Sequence, residues 1–504
     1  MRKPPLEALQ EAGALFAAGR LEEAKRACRK LLARRADIAE AHVLLGEIHR
    51  QRGDEARARE FFARALKLRP GWTEAHVQLC IADLLADFGQ RSENHYRCAL
   101  ELNPLLADAR YNLAAALNAA GRTTEAISEL QALLHGDPTA TDAREQLVRL
   151  LQAQRRFDEM EAVCREGMKL YPHASFYPNR LGVALWWRGR YDEGLAAYRV
   201  ATERAATPDE LESARFLEAS ALLSLGRYDE GWQAYHWRPT RRAWRGQVAE
   251  DPRSLEGPKR IRIVPEQGLG DELFFLRFAP ALQARGHRLS FSFPPKLAAL
   301  VGSGGEQKAD LVLASGDLPL ASGQAFAPPV RLEPEAARRA AMAVRLRAFG
   351  PPPYVAVTWR AGTEHWTKDI PPELLGRALR PFDARAIVLQ RLPTPQDVRL
   401  FSEALGRDAL DLSAANDDLR DALALLSLVD EYVGVSNTNM HLGAGIEGFK
   451  ARVLVLSPPE WRWGLDGSSS PWFPGFVLYR AAVGKDWNSA LNQLAGDLAA
   501  LQQM

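Results

Sequence analysis

The sequence predicts an all-α array of stacked helical hairpins followed by an α/β region whose strands run parallel. Two observations carry this. Prolines at Pro70, Pro104, Pro138 and Pro172 fall 34 residues apart, each closing the same pattern of small and apolar residues, and an internal period of that length marks a helical solenoid. After Trp237 the rhythm changes to short β-branched runs alternating with helical stretches, which is how parallel strands with crossover helices are written.

Within the unit that ends at Pro70, Leu45 and Gly46 sit near the start, Gly53 at the turn between helices, then Ala58, Phe62 and Ala65. The same slots recur as Leu113, Ala114, Gly121, Ala126 and Leu130, and again as Leu181, Gly182, Gly189, Gly194, Tyr198 and Ala201. Small residues let two helices approach, large ones wedge between hairpins, and proline stands where a missing N–H does no harm. These slots resemble the tetratricopeptide repeat. Less regular units around Gly19 and Ala24, and around Gly226, Gly231 and Tyr235, extend the array to about seven repeats over Leu6 to Trp237. Ser92 and Met160 replace the small residue of the second helix, and Asp87 and Arg155 replace the turn glycine. Neighbouring repeats share the burial, so the array tolerates these departures.

A chain of 504 residues, 47% hydrophobic and 25% charged, has room for two or three domains of a soluble globular protein. A net charge of +2 gives no electrostatic reason for a nucleic-acid partner. No apolar run reaches membrane-spanning length and the start Met-Arg-Lys-Pro-Pro lacks a signal-peptide core, so a cytoplasmic protein is expected. Cys28, Cys80, Cys98 and Cys164 all fall in the repeats, and Cys28 and Cys164 take the slot of Phe62 and Tyr198. They read as small core hydrophobes, without metal-ligand spacing or a disulfide framework.

Repeats over residues 1–238 are followed by an Arg-, Pro- and Gly-rich linker over 239–259. Strands are predicted at Arg260 to Val264, Leu289 to Phe293, Leu311 to Leu313, Tyr354 to Trp359, Ala386 to Gln390, Glu431 to Val435 and Val453 to Leu456. Helices are expected to begin near Asp271, Glu335, Glu373, Thr394, Leu419 and Asn439, with a last one from about Trp487. Pro351 to Pro353 divides the region into lobes at 260–350 and 351–504, and two doubly wound lobes with a cleft between them fit the layout.

Ligands of such sheets bind at the carboxyl ends of the strands, so three strand-to-helix turns stand out. The first, Glu266-Gln267-Gly268-Leu269-Gly270-Asp271, carries two glycines that allow close backbone approach and a carboxylate at a helix start. Asp271 is equally suited to be a plain N-cap, and the third glycine of a dinucleotide fingerprint is missing. The second turn, Thr358 to Asp369, offers a hydroxyl with Arg360 as a phosphate fork and Lys368 as a point charge; a solvated loop pairing these with Glu364 and Asp369 is the other reading. The third, Ser436-Asn437-Thr438-Asn439-Met440-His441, opens a helix with hydroxyl and amide side chains whose backbone N–H groups suit a phosphate. An ordinary capping run with His441 buried on the helix remains open.

Taken in order, these turns resemble bacterial tetratricopeptide proteins whose C-terminal domain is similar to glycosyltransferase family 9, the heptosyltransferase family. The marks are Tyr228-Asp229-Glu230-Gly231-Trp232 and Tyr235-His236-Trp237-Arg238, then Glu266 to Asp271, then Ser436 to His441, and Trp461-Arg462-Trp463 with Ser470-Pro471-Trp472-Phe473-Pro474. The resemblance implies an all-α tetratricopeptide superhelix followed by a GT-B-like domain. It places on Asp271 the role of the base that deprotonates the acceptor hydroxyl, with Gly268 and Gly270 lining the donor cleft. It places donor-phosphate contacts on Thr358, Arg360 and Lys368, and on Ser436, Asn437, Thr438 and His441. The reaction implied is sugar transfer from a nucleotide-diphosphate donor to a hydroxyl, with no cofactor beyond the nucleotide sugar. With no Asp-x-Asp motif in the sequence, a metal-independent mechanism fits.

Asn437 stands where the family usually has aspartate, and the first lobe, from about Arg260 to Phe349, is short. Loss of a lipid-acceptor surface there, with repeats suited to peptides or proteins, favours a protein acceptor over lipopolysaccharide; flagellin or another surface protein follows by family analogy. Trp461 and Trp463 alternate, so stacking on a base or sugar and structural packing are both open for them. The competing class of function is a binding scaffold with a degenerate transferase-like domain.

Overall fold

In a computed structural model of the chain, the described residues are 4–85, 89–302, 308–361, 368–482 and 486–501. The chain divides into two compact units, Met1–Pro172 and His173–Met504.

The first unit consists of helices α1 Pro5–Ala17, α2 Leu21–Leu32, α3 Ala39–Gln51, α4 Glu55–Leu68, α5 Thr73–Leu85, α6 Gly89–Leu102, α7 Ala107–Ala119, α8 Thr123–Gly136, α9 Thr141–Ala153 and α10 Phe157–Leu170. Each packs on the next. Gly53 and Gly121 turn their hairpins at φ of 73° and 78°, a region glycine enters without a Cβ penalty. Arg155 takes the equivalent place at φ 57°, so this departure from the repeat changes the residue and keeps the turn. Asp87 and the side chain of Ser92 lie outside the described residues. Met160 is fully buried where other repeats carry a small residue. Cys28 and Cys164 are buried, and burial pushes the Cys28 thiol up to about 11.

The second unit opens with α11 Phe176–Trp187, α12 Tyr191–Glu203, α13 Pro208–Ser224 and α14 Tyr228–Tyr235. Among the described residues the array thus has seven hairpins, the number the sequence period predicts. One packing rule recurs at five of the hairpins. Phe62 lies against Gly46 and Tyr198 against Gly182, and at both glycines an added Cβ would stand 2.5 Å from the aromatic ring. Where the wedge is smaller, as at Leu130, Cys164 and Cys28, the opposing slot grows to Ala114, Val148 and Ala12. At these five hairpins a larger wedge goes with a smaller opposing slot, while Tyr96 opposite Cys80 and Tyr235 opposite Ala219 depart from the exchange.

After the hairpins come β1 Arg260–Val264, α15 Leu269–Phe275, α16 Ala279–Ala284, β2 Arg288–Phe291, α17 Pro295–Val301, β3 Leu311–Ala314, α18 Leu318–Ser322 and α19 Ala336–Phe349. Then follow β4 Tyr354–Val357, α20 Pro372–Leu379, β5 Arg385–Val388, α21 Pro395–Leu405, β6 Leu410–Asp411, α22 Leu419–Leu426, β7 Glu431–Val435, α23 Thr438–Ala444, β8 Ala451–Val455, β9 Ser469–Ser470, β10 Phe473–Arg480 and α24 Asn488–Leu501. Among the described residues the strands form two sheets, a three-stranded one ordered β2-β1-β3 and a seven-stranded one ordered β6-β5-β4-β7-β8-β10-β9. All pairings are parallel except β9 with β10. Every residue of β4, β7 and β8 is buried, as expected of parallel strands covered on both faces.

The seven predicted strands are all present, each within about two residues of its expected start. Strands β6, β9 and β10 are additional. Strand β10 was hidden because Pro474 and Gly475 interrupt its beginning, residues that argue against a strand. Gly475 has φ 87°, and the pairing with β9 is irregular there. The stretch between repeats and sheet is strapped down: the indole N–H of Trp244 donates to Pro265 O at 3.0 Å and Ala249 N–H to Val312 O at 2.9 Å.

Gly182→Ala is expected to lose about 1–3 kcal/mol through overpacking against Tyr198, seen as a lower thermal midpoint. Gly496→Ala, where an added Cβ meets nothing within 4 Å, should instead gain about 0.5–1 kcal/mol. A Gly182→Ala protein that melts at or above the wild type would disprove the wedge rule.

Candidate functional site

Strand β1 has β2 on one side and β3 on the other, and β4 likewise has β5 and β7. The strand order therefore reverses at β1 and at β4, and the crevice at such a reversal is where parallel sheets bind ligands. Two of the three turns singled out in the sequence leave these two strands, and the third leaves β7, the neighbour of β4.

The turn after β1 meets the turn after β7. Helix α15 packs on α23, and an added Cβ on Gly270 would stand 2.9 Å from His441 Cδ2 and 3.6 Å from Thr438 Cα. Glycine at this place is what lets the two helix starts touch. Gly268 is the N-cap residue of α15, and no side chain caps that end. Asp271 sits in the first turn of α15 with its side chain 30% exposed and ion-paired to Arg462.

The turn after β4 arrives from the other side. Lys368 donates from Nζ to the carbonyl of Ser436 at 3.3 Å and pairs with Glu460 Oε1 at 2.5 Å. Ser436 Oγ donates to the other oxygen of Glu460 at 3.1 Å. Burial would raise the Glu460 carboxyl, but Lys368 and Arg462 outweigh it and hold it down at about 2. Thr358 and Asn437 lie behind this line in a closed ring. Asn437 Nδ2 donates to Thr358 Oγ1 at 2.8 Å, Thr358 Oγ1 lies 2.7 Å from the Tyr432 hydroxyl, and that hydroxyl donates to Asn437 Oδ1 at 2.9 Å. The same Oδ1 accepts the Met440 N–H at 3.3 Å, so Asn437 is the N-cap of α23. Arg360 points elsewhere: its side chain, 40% exposed, donates to Leu392 O at 3.2 Å and lies 3.7 Å from Asp397. Residues 362–367 of that turn lie outside the described residues.

His441 is buried, edge-on to Phe473 at 5.3 Å. Burial, then the charges of Arg462, Arg277 and Lys368, lower it well below its ordinary value, so it is a neutral imidazole at pH 7. Arg277 is held by the carbonyls of Phe274, Ala327 and Trp472 and lies 4.0 Å from the centre of the Phe274 ring. Burial lowers it to about 9, which still leaves it charged at neutral pH. The site is thus rich in cations: Lys368, Arg462 and Arg277 surround one neutral histidine.

Residues 460 to 463 supply what was not foreseen as part of the site. Glu460 and Arg462 lie either side of Trp461; in the sequence Arg462 is a motif mark without a site role, and Glu460 is not singled out. Trp463 is buried and donates from Nε1 to Glu460 at 3.3 Å; half-buried Trp461 stacks edge-on against Trp232, Phe274 and Trp472. Both pack. The available signal was a charged residue on each side of an aromatic just after a buried strand. Also unforeseen was Glu272, whose Oε1 accepts the N–H groups of Glu266 and Gln267 at 3.0 and 2.9 Å. Burial raises its carboxyl to about 7.

A family model described as tetratricopeptide repeat matches residues 9–71 and 87–143. Protein FlbA of Caulobacter vibrioides is 27% identical over 392 residues, covering 67% of this chain, and the match spans 62% of that relative's length. Among solved structures, YrrB, a TPR protein with an unusual peptide-binding site, matches with 16% identity and a TM-score of 0.34 over 37% of this chain and 97% of its own. The C-terminal part of a TPR repeat-containing protein from Cytophaga hutchinsonii matches with 13% identity and a TM-score of 0.41 over 45% of this chain and 93% of its own. The helical hairpins are thus tetratricopeptide repeats where the family model matches. Among the described residues no helix is long and apolar enough to cross a membrane.

Two buried groups of the site titrate in opposite senses. Glu272, raised when folded, contributes stability that is present below the ordinary carboxylate value and is lost as pH rises through about 7. His441, lowered when folded, costs stability once pH falls below 6.5, because only the unfolded chain then takes up the proton. Between pH 6.5 and 5 they offset each other, so Glu272→Gln should make stability fall by up to about 1.4 kcal/mol per pH unit more steeply on acidification. His441→Gln should do the reverse. Urea midpoints at pH 7.5, 6.5 and 5.5 test this, and pH profiles parallel to wild type for both variants would disprove it.

Proposed function

We propose that the protein transfers a sugar from a nucleotide-diphosphate donor to a hydroxyl group, and that the acceptor is a protein or peptide bound by the repeats. The observation that supports this most is the meeting of the β1 turn with His441 beside Lys368 and Arg462, at the point where the strand order reverses. A nucleoside diphosphate needs such cations in a crevice of low dielectric, and a carboxylate next to them can take the proton of an incoming hydroxyl. In this reading Asp271 is the base, and the bond from the anomeric carbon to the acceptor oxygen forms as the bond to the diphosphate breaks. The proton passes to Asp271. Lys368 holds the departing diphosphate and lowers the cost of its charge, with Ser436 and Thr438 beside it. Thr358 and Asn437 act from behind, through the ring with Tyr432 that fixes the start of α23. The two sheets are then the lobes of a GT-B-like domain, with the donor bound to the C-terminal one.

One observation favours a second reading, a scaffold that retains the domain without turnover. Asp271 is paired with Arg462 and Lys368 with Glu460, so the charges are satisfied within the chain. The tetratricopeptide repeats suit a protein partner under either reading.

Calorimetry against a panel of nucleoside diphosphates and their sugars separates the two. The transferase reading expects saturable binding of one nucleotide, weakened about tenfold or more in Lys368→Ala by loss of a charge-assisted contact. Asp271→Asn should keep that binding and lower transfer by about 10²–10⁴-fold. Absence of binding across the panel would leave the scaffold, and transfer by Asp271→Asn at the wild-type rate would remove the base assignment.

A further inference from the structure

Four charges meet in the site as two ion pairs, Lys368 with Glu460 and Arg462 with Asp271. Arg462 is the unusual member. Its residue is only 7% exposed, its guanidinium lies between the Phe274 and Trp461 rings at 4.8 and 4.6 Å, and among the described residues its Nε–H finds no acceptor. A buried guanidinium with a donor unused is costly unless something else completes it.

The segment that carries it is rigid. Ser470 Oγ donates to the Arg462 carbonyl at 2.7 Å, and Arg480 donates to the carbonyls of Trp463, Gly464, Asp466 and Gly467. Arg462 is therefore held in place by its own backbone and by two ring faces, independently of Asp271. Glu460, two residues earlier, feels both Lys368 and Arg462 and stays ionised far below neutral pH. Its carboxylate is an anion paired with Lys368 and in the field of Arg462, on the cation that a phosphate would meet.

We propose that Arg462 is the second cation of the diphosphate site and that Glu460 is its built-in placeholder. An incoming diphosphate takes Lys368 from Glu460 and the forked donors of Arg462 from Asp271, completing the unused Nε–H. The second exchange releases Asp271, so the base becomes free only when the donor is bound. Both exchanges presuppose the donor site proposed above.

The test uses the full-length protein and calorimetric titration with inorganic pyrophosphate and with the panel of nucleoside diphosphates, on wild type, Glu460→Gln, Arg462→Gln and Arg462→Lys. Removing the placeholder's charge should tighten pyrophosphate binding about tenfold. A purely structural Glu460 would give no gain. Arg462→Gln should weaken binding and Arg462→Lys restore part of it; thermal midpoints report whether these variants fold. If wild type binds a nucleotide and Lys368→Ala abolishes it, while Glu460→Gln binds no more tightly, the placeholder is overturned and the donor site stands. Binding by Glu460→Gln alone would support the placeholder directly. If neither wild type nor Glu460→Gln binds any diphosphate, both the donor site and the placeholder fall.

Discussion

The second unit depends on one guanidinium. Arg238, at the end of the last hairpin and almost fully buried, donates to Glu266 through two nitrogens and from Nη2 to Asp317 Oδ1 at 2.9 Å. Arg241 adds a donor to Asp317 at 3.1 Å. Glu266 opens the turn after β1 and Asp317 follows β3, so one side chain ties the repeats to the two turns that flank the crevice. Taking away the cation would leave the buried Glu266 carboxylate without a cationic partner and Asp317 with Arg241 alone, a loss of about 3–5 kcal/mol. The geometry is tight enough to dictate a neighbour: an added Cβ on Gly316 would stand 2.6 Å from both Arg238 Nε and Glu266 Oε1.

Apolar packing finishes what that ion network begins. Trp232 of α14 meets Tyr235, Phe275, Phe278, Trp461 and Trp472 edge-on, with ring centres 5.4 to 6.3 Å apart, and its Nε1 donates to Ala325 O at 2.9 Å. Such pairs hold orientation as well as area. The consequence reaches the site directly, because Trp461 carries Glu460 and Arg462 on either side and α15 carries Asp271. The last hairpin is thereby part of the wall behind the charges, and it is a structural element of the α/β region.

The sequence showed more of the fold than of the site. Periodicity and β-branched runs are local, so the seven hairpins and strands β1 to β5, β7 and β8 could be read one segment at a time. Strand β10 could not, since Pro474 and Gly475 contradict its propensity and only pairing with β8 makes it a strand. Among the site residues, Gly270, Asp271, Lys368, Ser436 and His441 do come together, because the rule that ligands sit beyond strand ends selects turns rather than residues. Arg360 was read from its charge alone, and its direction toward Leu392 is set by a loop that sequence does not describe. Asn437 departs from the aspartate of the resembled family, yet an amide donates to Thr358 and accepts from Tyr432 and Met440 at once. A carboxylate has no donor for Thr358, so the asparagine and the buried hydroxyls around it suit each other. Arg238 and Glu266 were both seen as motif marks, but a pair separated by 28 positions has no local signature.

Two buried arginines and a half-buried lysine in one site pose a problem that neighbouring acids solve. Unpaired, Lys368 and Arg462 would each bear a desolvation cost of several kcal/mol, and the unit would be unstable before any ligand arrived. Pairing them with Glu460 and Asp271 removes the cost and sets a limit on affinity, because every ion pair made with a ligand is exchanged for one already present. What the exchange can still gain is geometric. Two phosphates joined through one oxygen can bind both cations at once, which two carboxylates on separate elements do at the expense of holding both elements together. Arg277, which has carbonyls and rings around it instead of an acid, keeps a positive field over the site whichever anion occupies it. Under the transferase reading this balance favours a compact, doubly charged ligand over single carboxylates, through the same charges that stabilise the fold.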